Sequence, residues 1–167
     1  MTASRVERPV LTELQEGFRD AMGNVAAAVS VVTTLAGGRP HGATVSAFTS
    51  LSMDPPMLLV SLQETSRLLS LLEPGSHLGI NVLADHQGEL ALRFAQRRED
   101  RFADLVWESR DGAPALGEVH AWVATRVARL VPAGDHTLVL ADVLSASCGV
   151  PAPLTYWRRT FGTHRAH

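Results

Sequence analysis

The sequence predicts a mainly β protein, an antiparallel barrel flanked by two or three short helices. Three observations lead there. About six apolar or β-branched runs of strand length recur along the chain. Several are joined by hairpin-type turns, such as Ala36-Gly37-Gly38-Arg39-Pro40 and Pro132-Ala133-Gly134-Asp135-His136. The strands do not alternate strictly with helices, and no G-x-G-x-x-G follows a strand, which removes the usual dinucleotide fold.

Taken in order, residues 1–10 read as a loose polar segment, 11–162 as one domain and 163–167 as a frayed tail, with fraying expected from Gly162 onward. Leu11, Leu14, Phe18, Ala21 and Met22 recur at helical spacing, which predicts an amphipathic helix ending at Gly23-Asn24 and lying as a lid on the core. Residues 27–35 (AAVSVVTTL) predict a strand whose hairpin partner is 41–48, with Gly42 marking a bulge or a ligand approaching the backbone. Asp54-Pro55-Pro56 must be a connection, because proline lacks a backbone donor and constrains the residue before it. Residues 57–62 (MLLVSL) restart as a strand. Thr65 and Ser66 are N-cap candidates for a short helix over 67–73, stopped by Pro74-Gly75. Residues 77–83 predict a strand carrying Asn81 among apolar neighbours, and Asp85 can cap a helix through Leu90, Leu92 and Phe94. Arg93, Arg97 and Arg101 fall four apart, among Glu89, Glu99 and Asp100. Residues 104–117 predict a loop anchored by Trp107, 121–131 and 137–146 two long strands, and 151–159 a proline-framed break followed by Leu154–Arg159.

The bulk numbers remove several chemistries. With 167 residues, 46% hydrophobic, 19% charged and a net charge of -2, the chain has the balance of an ordinary globular domain. The single cysteine, Cys148, excludes intrachain disulfides and multi-cysteine metal sites. All 15 basic residues are arginine, so neither a Schiff-base nor a P-loop lysine exists. Near-neutral charge argues against nucleic acid as a partner. No apolar run reaches membrane-spanning length and no signal-peptide core is visible, so no membrane contact and a cytoplasmic location are expected. There is no G-x-S-x-G, and His41, His77, His86, His120 and His136 are scattered singly, so neither hydrolysis nor a metal site is indicated.

The informative stretch is 43–62 (ATVSAFTSLSMDPPMLLVSL), in which Ser46, Thr49, Ser50 and Ser52 precede the Asp-Pro-Pro break. Short hydroxyls beside free backbone N–H groups can hold a phosphate or sugar, and they equally suit a polar connection. Arg67 in the first turn of its segment opposes the helix dipole unless it has an anion to meet, or it is simply exposed. Arg93 can sit on a phosphate with Phe94 against a ring, or both belong to an ordinary helix surface. His136, at a hairpin tip beside Gly134-Asp135, is open to a ligand or bonded locally. Tyr156-Trp157-Arg158-Arg159 suits stacking on a planar anion or packing onto a partner chain.

Several segments, in this order, resemble the short-chain flavin reductases, the small components of two-component flavin-dependent monooxygenase and halogenase systems. They are Phe18–Met22 (FRDAM), Val29–Thr34, Thr44–Pro56, Asn81-Val82-Leu83, Asp100-Arg101-Phe102, Gly134-Asp135-His136 and Pro153-Leu154. The resemblance implies a split β-barrel of the FMN-binding type, a homodimer, FAD or FMN, and NADH or NADPH. It implies an NAD(P)H:flavin oxidoreductase that hands reduced flavin by diffusion to a monooxygenase or halogenase. It places flavin contacts on His41, Gly42, Ala43, Thr44, Ser46, Ala47, Ser61, Leu62, Gln63, Ser66, Arg67, Arg93 and Phe94, with Arg67 and Arg93 on the phosphate. It places the nicotinamide on His136, Tyr156, Trp157, Arg158 and Arg159, with His136 orienting it. Where relatives carry Thr-Gly, Asn-Ser and Arg-Gly-Arg, this chain has Ala27-Ala28, Ser46-Ala47 and Arg158-Arg159-Thr160. The alternatives are a flavin-holding electron carrier that binds no nicotinamide, and a barrel binding another planar cofactor such as haem.

Overall fold

The computed structural model describes residues 12–96 and 100–164. Helix α1 (Glu13–Gly23) is followed by β1 (Ala27–Ala28), β2 (Ser30–Ala36), β3 (Arg39–Val45), β4 (Phe48–Met53), β5 (Pro56–Gln63) and β6 (His77–Val82). Helix α2 (Gly88–Ala95) comes next, then β7 (Trp107–Arg110), β8 (Ala113–Leu116), β9 (Ala121–Ala133), β10 (His136–Cys148), β11 (Leu154–Trp157) and β12 (Thr160–Thr163). Seven strands form one sheet in the order β3-β2-β6-β9-β10-β5-β4, with every pairing antiparallel.

That order makes the sheet a barrel. Its two edge strands, β3 and β4, are consecutive in sequence and joined only by Ser46 and Ala47. A chain advances at most about 3.6 Å per residue, so Val45 and Phe48 lie within roughly 11 Å of each other. A seven-stranded sheet brings its edges that close only by curling round. The strand ladder does not run across the gap between β3 and β4, so the barrel is split there. Beside the split, the Ser61 N–H donates to Ala47 O at 2.8 Å.

The barrel interior follows from period-2 alternation. Leu58, Val60 and Leu62 of β5 are buried with Val32, Leu78, Ile80, Val127 and Val139. Burying each such side chain contributes about 1.5–3 kcal/mol before entropic costs. A second apolar layer lies under α2, where Val29, Val31, Leu83, Ala91, Phe94 and Phe102 pack together. Asn81 ties β6 to β2 and β8. It is fully buried, donates Nδ2 to Val31 O at 3.0 Å and accepts from the Leu116 N–H at 2.7 Å. Among the described residues no helix is long and apolar enough to cross a membrane.

Several sequence expectations change. Among the described residues twelve strands replace six, because the short strands β1, β4, β7, β8, β11 and β12 lack long β-branched runs. Residues 107–116 form a hairpin instead of a loop: Asp111-Gly112, at φ 49° and 83°, is a left-handed two-residue turn. The helix expected over 67–73 contracts to a single 3-10 turn, Leu69–Leu71, without a side-chain cap. A segment this short cannot repay helix nucleation, and Leu68 and Leu72 fix it by entering the core. Asp85 does not cap α2; the N-cap is Gln87, and Asp85 faces His86 instead. Gly42 is not a bulge, since β2 and β3 pair without a register shift. Gly162 and Thr163 belong to β12, paired with Thr155 and Leu154. Arg97 and Glu99 lie outside the described residues, and α2 ends before Arg101.

α1 forms where expected, with a Thr12–Gln15 capping box, but it is no lid on the core. Leu14 and Phe18 are 83% and 67% exposed. Its C-terminal end is tied to the β11–β12 turn, where Trp157 Nε1 donates to Asn24 O and Arg158 Nε to Asn24 Oδ1.

Candidate functional site

A cavity of about 630 Å³ opens at the barrel's split. One wall is the β3 end and the β3–β4 link, contributing Ala43, Thr44, Val45, Ser46 and Ala47. The opposite wall is the end of β5, Ser61, Leu62 and Gln63, continuing through Ser66 and Arg67. Phe94 closes one side from α2, and His136 closes another from the start of β10. These distant segments meet because the split places β3 beside β5, while antiparallel pairing sets His136 opposite Gln63.

The wall is held rigid from behind. Phe94 is 1% exposed and sits against Gly42, where a Cβ would lie only 2.9 Å from its ring. Glycine at 42 is therefore required by close packing. Thr44 Oγ1 donates to Ala91 O at 2.6 Å, pinning β3 to α2. Phe102 meets Phe94 edge-on at 5.0 Å.

The electrostatics are one-sided. Arg67 and Arg101 both line the cavity, and among the described residues neither has a carboxylate partner. Burial, and then the neighbouring Arg67 charge, lower the Arg101 pKa. His41 sits below the ordinary histidine value for the same reasons: burial first, then the charges of Arg67 and Arg39. At the other end, His136 Nδ1 lies 2.7 Å from Asp135 Oδ1. A carboxylate can only accept, so Nδ1 carries the proton and Nε2 remains free for a ligand. The hydrogen bond from His136, then its charge, hold the Asp135 carboxyl below its usual range.

Of the residues singled out in the sequence, Ala43, Thr44, Ser46, Ala47, Ser61, Leu62, Gln63, Ser66, Arg67, Phe94 and His136 converge on this cavity. His41 and Gly42 of β3 and Thr49, Ser50 and Ser52 of β4 are not among its lining. Arg93 turns away, donating Nε to Arg101 O at 2.8 Å. Tyr156, Trp157, Arg158 and Arg159 are not among its lining. Tyr156 pairs with Ala27 and packs on Phe161, while the Arg158 guanidinium lies over Trp157. The residue missed is Arg101. Its signal was the Asp100-Arg101-Phe102 segment, where a buried aromatic fixes the neighbouring arginine.

A cavity with polar and apolar walls, hydroxyls at one seam and two guanidiniums without a carboxylate partner among the described residues suits a planar ligand with an anionic tail. The sequence profile described as "Flavin reductase like domain" matches residues 22–165. This chain is a member of the flavin reductase-like family. The family member is 36% identical over 163 residues to the reductase component of a 4-nitrophenol 4-monooxygenase/4-nitrocatechol 2-monooxygenase from Rhodococcus opacus, covering 97% of this chain and 88% of that one. It is 41% identical over 150 residues to a flavin reductase (NADH) from Kitasatospora aureofaciens, covering 86% and 78%. Among solved structures, an NADH:FAD oxidoreductase of Streptomyces globisporus, in complex with NAD and FAD fragments, superposes on this flavin reductase-like chain with a TM-score of 0.85. That match has 25% identity and covers 95% and 98% of the two chains.

Proposed function

We propose that the protein is an NAD(P)H:flavin oxidoreductase whose split-barrel cavity takes FMN or FAD and supplies reduced flavin to a partner monooxygenase or halogenase. The observation that carries this is the convergence of Ser46-Ala47, Ser61–Gln63, Arg67 and His136 on one cavity in a flavin reductase-like chain. The residues fit the cofactor: the arginines there have no carboxylate among the described residues and so match a phosphate-bearing tail.

A bound flavin would supply the acceptor for a hydride from the reduced nicotinamide. The chain's own residues bind and align. Backbone and hydroxyl groups of Thr44, Ser46 and Ser61 present hydrogen-bonding edges, and Arg67 meets negative charge. His136, held by Asp135, offers Nε2 to orient the nicotinamide; the hydride step asks no proton of it. Holding the two reactants in register would be the source of the rate gain.

Loss of nicotinamide absorbance on mixing with FMN or FAD tests this. Rates that saturate with added flavin support diffusible flavin, whereas a tightly held flavin and no nicotinamide oxidation indicate an electron carrier. His136→Ala raises the nicotinamide KM more than the flavin KM; the opposite ranking removes its role. A homodimer is part of the proposal, supported by the exposed apolar stripe Leu14, Phe18 and Met22 of α1, beside the exposed Trp157. Sedimentation at the monomer mass would contradict it. The setting proposed is cytoplasmic.

A further inference from the structure

A second cavity, of about 430 Å³, lies between the β7–β8 hairpin and the far end of the β9–β10 ribbon. Among the described residues its lining has no member in common with that of the first cavity, and β10 runs from His136 at the first to Cys148 at the second. Two of the chain's three tryptophans, Trp107 and Trp122, stand in its wall, with Glu108, Arg110 and Cys148. Trp122 is 2% exposed, and its Nε1 is buried with no hydrogen-bond acceptor among the described residues. A buried donor left unpaired carries its full desolvation penalty, and a buried indole N–H ordinarily finds a partner. The ring is fixed in place. Its benzene edge is seated on Gly79 of β6, where a Cβ would lie 2.3 and 2.5 Å from Cη2 and Cζ3.

The charges around this cavity cancel. Arg110 donates Nε to Glu108 Oε1 at 3.0 Å and Nη2 to the same oxygen, while Glu118 lies 3.5 Å from His86 Nε2. A guanidinium already paired with a carboxylate gains little from a second anion. What remains is two indoles and one donor without an acceptor. Aromatic walls with a single placed polar group suit a small planar ligand.

We infer that this cavity is a second binding site, for a neutral single-ring aromatic molecule of the phenol class whose oxygen accepts the Trp122 N–H. In the free protein the half-exposed Arg110 side chain lies over the indole, its guanidinium 5.9 Å from the ring centre. Ligand entry moves it aside, exchanging a cation–π contact for aromatic packing. A Trp122 that only filled the core would have no use for its N–H.

The test uses phenol, toluene, which lacks the oxygen, and benzoate, which adds a charge. Three tryptophans give three indole N–H signals in a nitrogen-15 NMR spectrum, and Trp122→Phe identifies the one from residue 122. Phenol is expected to shift that signal saturably, leave the Trp157 signal in place, and slow alkylation of Cys148, the only cysteine, severalfold. Toluene gives no hydrogen-bond shift of the Trp122 signal. In Trp122→Phe the preference for phenol over toluene falls by about 2- to 10-fold, the range of one neutral hydrogen bond. Benzoate binds no more tightly than phenol, Arg110→Ala binds phenol at least as tightly as wild type, and saturating FMN changes none of this.

Absence of a saturable shift, with Cys148 alkylation unchanged, would overturn the site. Equal shifts with phenol and toluene, or an unchanged preference in Trp122→Phe, would reduce Trp122 to an apolar wall. Tighter binding of benzoate, or loss of phenol in Arg110→Ala, would make it an anion site instead. Competition by FMN would place phenol in the flavin cavity and remove the second site. If circular dichroism shows Trp122→Phe unfolded, Trp107→Phe and Trp157→Phe assign the signals, and the shift with phenol against toluene decides.

Discussion

Replacing Gly42 by alanine tests the packing that shapes the cavity. The added methyl would lie 2.9 and 3.1 Å from Phe94 Cε1 and Cδ1, and 3.3 Å from Thr33 Cγ2. Carbon atoms prefer about 3.5–4.0 Å, so the Phe94 ring edge must withdraw by roughly 0.5–1 Å. It has little room, being 1% exposed and backed by Phe102 at 5.0 Å. Overpacking of this kind costs about 1–3 kcal/mol. At about 2–4 °C per kcal/mol for a chain of this size, the melting temperature falls by roughly 2–12 °C. Phe94 also lines the cavity, and Gly42 O receives Arg101, so flavin affinity falls with stability. Thermal melting followed by circular dichroism, with flavin titration on the folded variant, reads both effects. An unchanged melting temperature and unchanged affinity would refute the claim that glycine at 42 is there for Phe94.

Other outcomes follow from the same contacts. Asn81→Ala strips the Leu116 N–H of its acceptor in a fully buried position and costs about 1–3 kcal/mol by denaturant unfolding; a loss below about 0.5 kcal/mol would mean the site rehydrates. His41 titrates below about 6.5 by NMR. Because the unfolded chain then binds the extra proton first, stability contributed by His41 falls as pH drops from about 6.5 through the folded value, and His41→Gln flattens that slope. Added FMN moves the His41 midpoint upward by offsetting Arg67; a downward shift would place the anion elsewhere. Arg159, at φ 63° in the β11–β12 turn, tolerates glycine: Arg159→Gly melts no lower than wild type, where a position without left-handed strain would lose stability.

What the sequence makes legible is set by the range of the interactions involved. The hairpins β2–β3 and β9–β10 are readable because long β-branched runs flank turn residues with left-handed preferences, Gly37-Gly38 and Gly134. β7–β8 is harder: its Ala-Pro-Ala-Leu strand carries no β-branched residue, and is held by Thr33 Oγ1 and Asn81 Nδ2 reaching Pro114 O. The only local sign is Asp111-Gly112. The cavity residues of β3, β5 and the hairpin tip are legible through the family resemblance, but their meeting depends on closure of a seven-stranded sheet. Arg93 and Arg101 show the limit most clearly. Both are helical-register arginines in the sequence, and which one faces the cavity depends on α2 ending at Ala95 and on Phe102 docking on Phe94. α1 is legible as an amphipathic helix, yet nothing local says that its apolar stripe faces outward.

The most direct measurement mixes the protein, FMN and NADH without oxygen and follows the flavin's visible absorbance. The account predicts that the band bleaches at a rate proportional to protein, with one flavin reduced for each nicotinamide oxidised. A flavin band that persists at the rate of the protein-free control, with FAD and NADPH giving the same result, would contradict it.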